Sequence, residues 1–431
     1  MKICSVILSA GKGSRMKSDI PKPFHKIAGM SMLDWVINAN CSINPKKIVI
    51  VSSNMRDFEE YSNFCDIVVQ KKPCGTGDAL KYTKDLLKTF KGIVIVSYAD
   101  TPFVNQSTLK KLAASIKNKN DIAITGFKKE TINSYGKIIL SNEKKPIKIL
   151  EEKKKNNKIK LCNGGIVAFN AKKLFDLIEK IKPSSLTNEF YLTEVVEIAS
   201  KQKFKIDLIN INEEEILGIN DRFDLLKAEK LAQDRFRNFL INKGVTLLDP
   251  NSTYFSYDTI IEKDVIIHPN VVIGNNVKLK RNSEIFSFCH LEDCIINKNS
   301  QIGPFARIRG GSKIGESSKI GNFVELKNSN LKNTVKINHL SYVGDTKVGS
   351  NTNIGAGTIT CNFDGFRKNK TTIGYDAFIG SNSTLIAPIK IGNKATIAAG
   401  SVITDDVPER SLSIARNKQT NKKNRSLKIK N

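Results

Sequence analysis

Ile-Gly and Val-Gly pairs recur at Ile302-Gly303, Ile314-Gly315, Ile320-Gly321, Val348-Gly349, Ile354-Gly355, Ile373-Gly374, Ile379-Gly380 and Ile391-Gly392, mostly six or twelve residues apart. Aliphatics such as Ile273, Leu279, Ile285, Ile308 and Leu326 fill intermediate beats. A helix repeats its face every ~3.6 residues and a strand every ~2, so neither imposes a step of six over such a length. A parallel β-helix does. Each hexad is one short strand plus a bend, and one aliphatic per hexad points into a shared axial core. The hexads run from about Ile260 to Ile403.

The preceding half alternates apolar strand-like runs with amphipathic stretches. Strands are expected at Ile3–Leu8, Ile48–Ser52, Ile67–Val69, Ile93–Val96, Ile122–Gly126 and Gly165–Phe169, and helices at Met32–Ala39, Asp78–Phe90, Ser107–Ile116 and Thr193–Lys201. This alternation implies an α/β unit with a mostly parallel sheet. Phe223, Leu226, Leu231, Phe236 and Leu240 then keep helical spacing without Gly or Pro, and Gly244 suits a carboxy-terminal cap. The expected organisation is an α/β domain over 1–222, a linker helix over 223–244, a β-helix over 245–417 and a Lys/Asn-rich tail over 418–431 without regular structure.

Composition narrows the function. The net charge of +27 comes mostly from lysines spread through both halves, with little aromatic interleaving, so the expectation is anionic small-molecule substrates and no nucleic acid. Eight cysteines show no CxxC pair, which fits reduced thiols in the cytoplasm. The apolar run Ile3–Ala10 passes straight into Gly11-Lys12-Gly13, unlike a signal peptide, and no stretch approaches the ~20 apolar residues of a membrane span.

Glycines after a first strand let backbone N–H groups approach a polyphosphate, and Arg15 adds charge, yet Gly11–Met16 matches neither GxGxxG nor a P-loop. Further along stand Pro21-Lys22-Pro23, Gln70 with Cys74-Gly75-Thr76-Gly77, Tyr98-Ala99-Asp100, Tyr135-Gly136-Lys137, Glu151, Asn163-Gly164-Gly165 and Gly218-Ile219-Asn220. In that order these segments resemble the sugar-1-phosphate nucleotidylyltransferases. With the hexads, residues 1–416 resemble the bacterial family of bifunctional N-acetylglucosamine-1-phosphate uridylyltransferase/glucosamine-1-phosphate acetyltransferases.

The resemblance implies a Rossmann-like nucleotidylyltransferase domain, a long helix and a left-handed parallel β-helix. It implies attack of a sugar 1-phosphate on UTP, with Gly11, Arg15 and Lys22 at the phosphates and Gln70, Gly75 and Thr76 at the uracil. Gly136, Glu151 and Asn163 would hold the amino sugar, Leu8 and Tyr98 would line the same pocket, and Asp100 and Asn220 would anchor Mg²⁺. Ala99, Lys137 and Gly164 depart from the family's usual residues.

The hexad count stumbles twice, between Gly321 and Val348 and between Ile354 and Ile373, where Cys361–Lys368 reads as an outward loop. Such breaks cost stacking and are candidate functional insertions. An imidazole, with an ordinary pKa of about 6.5, suits proton removal at neutral pH. By resemblance His339 is the general base for acetyl transfer from acetyl-CoA to glucosamine-1-phosphate, with Glu325 orienting its ring. Arg309, Lys327, Tyr342, Asn353 and Lys368 would bind the sugar phosphate, and Ala356, Ser381, Ala399 and Arg416 would meet coenzyme A. Gly310-Gly311 and Asn417 depart from the family pattern. The family's sites lie between subunits of a homotrimer. The alternative is a monofunctional sugar-1-phosphate nucleotidylyltransferase whose β-helix serves only trimerisation; the polar block around His339 at a break in the rhythm speaks against it.

Overall fold

A computed structural model describes residues 1–11, 13–131, 135–151, 159–423 and 425. Lys12 of the glycine-rich turn and the end of the tail expected to lack regular structure, 424 and 426–431, lie outside the described residues. The chain forms two compact units, Met1–Lys230 and Leu231–Asn431.

The first unit is built on a sheet whose strands lie in the spatial order Ile206–Asn210, Ile122–Lys128, Leu161–Asn170, Gly92–Tyr98, Lys2–Ser9, Lys47–Ser52 and Asp66–Val69. Neighbours are parallel except at Leu161–Asn170, which runs antiparallel to both of its own. Both faces are covered, so the strands read as continuous apolar runs and Val6, Ile7, Val94 and Ile95 are fully buried. Strand order reverses at Lys2–Ser9, which has Lys47–Ser52 on one side and Gly92–Tyr98 on the other. A crevice opens at the carboxyl ends of strands at such a switch point. Gly11–Arg15 and Asp100 follow those two carboxyl ends.

Ser31 caps the helix Met32–Cys41 by accepting from Asp34 N, and Asn105 caps Gln106–Lys117 through Thr108 N. The single helix expected over Asp78–Phe90 is instead two, Thr76–Lys81 and Lys84–Leu87. Buried Thr83 sits at the break and returns its hydroxyl to Leu80 O at 2.7 Å, a local bond that competes with helix propagation. The hairpin Lys137–Leu140/Pro146–Leu150, the helix Ala171–Ile178 and the strand Ile206–Asn210 had no counterpart in the expectation.

The hexads fold into the parallel β-helix they imply, left-handed as the resemblance implies. Short strands fall into three parallel sheets, each strand pairing with the one three strands on until the last turn, where Thr396–Ile397 pairs with Leu412–Ser413 two strands on. Ile273, Leu279, Ile285, Ile308 and Leu326 are at most 1% exposed and lie in one continuous core. Strands extend from Thr246–Leu247 to Leu412–Ser413, so the solenoid outruns the Ile-Gly markers at both ends. The linker helix is Arg222–Asn242, followed by Gly244 at φ 87° as expected of a cap.

Corners turn through left-handed residues, commonly Asn or Asp, which tolerate that conformation through local hydrogen bonding. One corner is different: Phe288, Phe305 and Phe323 adopt it with φ of 55–63° and stack at centroid distances of 4.8 and 5.1 Å. Stacking offsets the strain at these bulky residues.

Coils hold 18 residues where Lys280 stands over Glu262, 17 where His339 stands over Asn322, and 25 where Ala377 stands over Thr352. The expected slip between Gly321 and Val348 is therefore a coil shortened by one residue. The same shortening occurs where Asp293 stands 17 residues from Asn276, so only the longer coil, which carries the Cys361–Lys368 loop, is an insertion.

Candidate active sites

At the switch point, Arg15 occupies the turn Ser14–Met16 and Lys22 the turn Lys22–Phe24. Lys22 Nζ lies 2.5 Å from Asp100 Oδ2 and 3.2 Å from Asn220 Oδ1, and Arg15 Nη2 donates to the same Asn220 oxygen at 3.0 Å. Ile219 N donates to Asp100 O at 2.9 Å, tying the two oxygen-bearing loops together. Two cations and two oxygen donors thus converge on one point. The lysine ammonium stands where both oxygens reach, so Asp100 and Asn220 fit a hard divalent cation that completes its shell with water and phosphate oxygens. Ala99, the departure beside Asp100, is buried and donates to Leu8 O at 3.0 Å, continuing the parallel ladder. Leu8 is itself buried.

A second group surrounds Gln70. It is 3% exposed, and its Nε2 donates to Asp78 Oδ2 at 2.7 Å and to Gly75 O at 3.3 Å. Gly75 has φ 106°, and a Cβ there would lie 2.5 Å from Phe190 O, so no other residue fits without a shift. Phe190 N donates to Cys74 O, Gly77 N to Phe190 O, and Leu192 N to Thr76 Oγ1, which straps residues 190–192 across the motif. Asp78 and this strap were absent from the expected site. Asp78 was within reach, two residues beyond Thr76; the strap had no sequence signal.

The third group adjoins Tyr98. Burial, then the charges of Glu151 and Asp100, push its phenol well above the ordinary range, while a hydrogen bond with Thr76 opposes them. Asn163 N donates to Gly136 O at 2.8 Å, and Asn163 Oδ1 accepts from Gly165 N at 3.0 Å. A Cβ on Gly136 would stand 3.1 Å from a Glu151 carboxylate oxygen. Glu151 keeps solvent contact as a residue, but desolvation of its carboxyl raises its pKa, the nearby Thr193 hydroxyl works against this, and Glu194 adds to it. The departure at Gly164 fits this chain, since a Cβ would lie 2.5 Å from Thr125 Oγ1. Lys137 turns toward Cys162 Sγ at 3.1 Å.

In the β-helix, Arg309 stacks in register with Lys327, and Glu325 with Tyr342, on one sheet. Arg309 donates Nε and Nη2 to Glu325 Oε1, each at 2.7 Å. Lys368, brought in by the loop through the Phe363–Lys368 bridge, stands against Lys327, and the nearness of its ammonium holds the Lys327 pKa below the ordinary lysine range, with Arg309 adding to the effect and Asp345 opposing it. Three cations facing one another are suited to an anion with several charged oxygens. Asn353 is not on this face. It lies in the sheet that carries His339, paired between Lys336 and Phe378.

His339 is exposed at the end of the strand Lys336–His339 in that sheet, and its Nδ1 lies 2.7 Å from Asn322 Oδ1. Glu325, expected to orient the ring, is committed to Arg309 instead. Continuing the register Ile337↔Ile354 sets His339 beneath Ala356, Asn382 N donates to Ala356 O, and Gly400 N donates to Ser381 O. Arg416 Nη1 donates to Ala399 O at 2.7 Å. Ala356, Ser381, Ala399 and Arg416 therefore extend the His339 column coil by coil, the first three with small side chains and the last with a guanidinium folded back on Ala399.

Residues 5–182 match the model of the MobA-like NTP transferase domain, 293–328 that of the bacterial transferase hexapeptide (six repeats), and 370–405 that of the hexapeptide repeat of succinyl-transferase. Fold and sites define a nucleotidyltransferase unit joined to a hexapeptide-repeat transferase. Over 433 residues the chain is 42% identical to the Bifunctional protein GlmU of Bartonella bacilliformis, covering 99% of this chain and 96% of the relative. It is 44% identical over 423 residues to the Bifunctional protein GlmU of Wolbachia pipientis wMel, covering 97% and 98%. The chain belongs to the GlmU family of bifunctional proteins.

Proposed function

We propose that this bifunctional transferase makes UDP-N-acetylglucosamine in two steps. Glucosamine-1-phosphate is acetylated from acetyl-CoA in the β-helix, and the product is uridylylated from UTP in the α/β unit. The observation that carries this reading is the presence, in one chain of this family, of two separate constellations: the Arg15–Lys22–Asp100–Asn220 convergence and the His339 column beside three cations.

In the first reaction the amine nitrogen attacks the thioester carbonyl, a C–N bond forms and the C–S bond breaks. His339 Nε2 accepts the amine proton and returns it to the departing sulfur, while Arg309, Lys327 and Lys368 hold the phosphate, with Tyr342 and Asn353 at the sugar. In the second, a phosphate oxygen of the sugar attacks the α-phosphorus of UTP, and the bond to the bridging oxygen breaks to release pyrophosphate. Such a transition state needs positioning and charge neutralisation more than a nucleophilic side chain. Gly11, Arg15 and Lys22 would hold the phosphates, the two cations neutralising their charge; Gln70, Gly75 and Thr76 would face the uracil; Gly136, Glu151 and Asn163 would hold the amino sugar. Asp100 and Asn220 would hold Mg²⁺, which supplies positive charge to the phosphates when bound.

A homotrimer is part of the proposal, supported by the exposed ring ladder of Phe288, Phe305 and Phe323 along one corner and by exposed Leu340 beside His339. Among the described residues no helix is long and apolar enough to cross a membrane. All eight cysteines are thiols, which supports a reducing, cytoplasmic setting. The test is to supply N-acetylglucosamine-1-phosphate and Mg²⁺ with each nucleoside triphosphate in turn. Pyrophosphate release with UTP above the others is expected; a preference for another base would sink the uridylyl assignment.

A further inference from the structure

We infer that Asn322 is the positioning residue of the acetyltransferase site, fixing His339 in the tautomer that can act as a base. The inference rests on the reading of His339 as that base.

A neutral imidazole carries one proton, and only the other nitrogen can accept another. For Nε2 to take the amine proton, Nδ1 must be the protonated nitrogen. An amide oxygen is an acceptor only, so the 2.7 Å contact from Asn322 Oδ1 calls for Nδ1–H and leaves the Nε2 lone pair free. Asn322 is well placed to impose this. It is the register partner of His339 one coil below, and its backbone O accepts from Leu340 N at 3.0 Å, so one residue grips the segment through both backbone and side chain. The neighbouring glycine makes the grip possible: a Cβ on Gly321 would lie 1.9 Å from Asn338 O, and its absence lets the two coils close immediately before the histidine. Glu325 is spent on Arg309. An amide also fixes the ring without setting a negative charge against it, as a carboxylate would.

The test uses the full chain and its two activities. In Asn322→Ala, kcat for acetyl transfer should fall about 10- to 100-fold, less than the ~10²–10⁴-fold that a general base supplies. KM for glucosamine-1-phosphate should barely move and uridylyl transfer should stay intact. Asn322→Asp, which keeps an acceptor oxygen, should recover much of the loss, and His339→Ala/Asn322→Ala should be no slower than His339→Ala. The chain has four histidines, so ¹⁵N-histidine labelling with His339→Ala for assignment can report the ring directly. Neutral His339 should carry its proton on Nδ1 in the wild type and shift toward Nε2–H in Asn322→Ala. An Nε2–H wild type, or an unimpaired Asn322→Ala beside an inactive His339→Ala, would overturn the inference while leaving the base in place. Full acetyl transfer by His339→Ala would remove the base itself, and the positioning role with it.

Discussion

In the α/β unit, the convergence of Arg15, Lys22, Asp100 and Asn220 joins residues 78, 198 and 205 positions apart, through Lys22–Asp100, Lys22–Asn220 and Arg15–Asn220. In the solenoid, Asn322 meets His339 across 17 positions and Arg309 meets Glu325 across 16. One site exists only when the whole unit has closed, because its loops are delivered by strands from opposite ends of the chain segment. The other is assembled coil by coil, each group set by the coil beneath it, as expected where stability is a sum of nearest-neighbour terms. Damage should therefore spread differently: globally in the sheet, locally in the solenoid.

The largest effects test whether the two constellations are independent catalysts. His339→Ala should lower acetyl transfer, followed by thiol release, by roughly 10²–10⁴-fold and leave pyrophosphate release alone. Asp100→Asn should do the reverse, with pyrophosphate release down about 10²–10³-fold, the cost of removing one preorganised charge-stabilising group. Chelation of divalent cations should reproduce only the second pattern. A substitution that depressed both activities alike would collapse the contrast into a single folding defect.

Next come two glycines. Gly321→Ala places a Cβ 1.9 Å from Asn338 O, and overpacking of this kind costs about 3 kcal/mol. Thermal inactivation should then take acetyl transfer first while uridylyl transfer persists. Gly75→Ala imposes φ 106° on a residue with a side chain, with Phe190 O 2.5 Å away, at about 1–3 kcal/mol. Its effect should reach KM for UTP and the melting of the sheet unit together. If Gly321→Ala instead melted both units at one temperature, the local character of the solenoid would be wrong.

This contrast also explains what the sequence disclosed. The hexad beat is written in consecutive residues, so the solenoid and its buried aliphatics were legible. The motif order located Lys22, Asp100 and Asn220, but the Phe190–Leu192 strap over Gly75 and Thr76 is a long-range backbone event without a residue signature. The partner of His339 was hidden for a different reason. It depends on a coil of 17 residues; a coil of 18, also present in this chain, would set His339 over Gly321 and give it no acceptor. The choice between Glu325 and Asn322 is thus a question of register, fixed by pairing across coils. The broken helix at Thr83 belongs here too, since apolar periodicity continues through it while the buried hydroxyl stops the ladder.

The smallest effects come from two carboxyls displaced in opposite directions. In the solenoid loop, Asp364 accepts from Arg367 N at 2.8 Å, Phe366 N at 2.9 Å and Asn369 Nδ2 at 2.8 Å. These bonds pull its pKa from 3.8 to about 2. A depressed carboxyl favours the folded loop above its ordinary value, and that contribution is lost as pH falls from 3.8 through about 2. Amide protection at Phe366 and Arg367 should decay over that window, and Asp364→Ala should remove the decay. It should also raise KM for glucosamine-1-phosphate a few-fold by loosening Lys368, the modest effect expected of one weakened exposed contact. In the sheet unit Glu151 is displaced upward by desolvation, so the sign reverses: its ionisation opposes folding, and the penalty appears as pH rises through its ordinary 4.5. Glu151→Gln should flatten the stability of that unit from that point upward. Should both substitutions change the pH profile in the same direction, the loop and the cleft would not be opposed environments, and the Asp364 hydrogen bonds would not be what holds Lys368 in place.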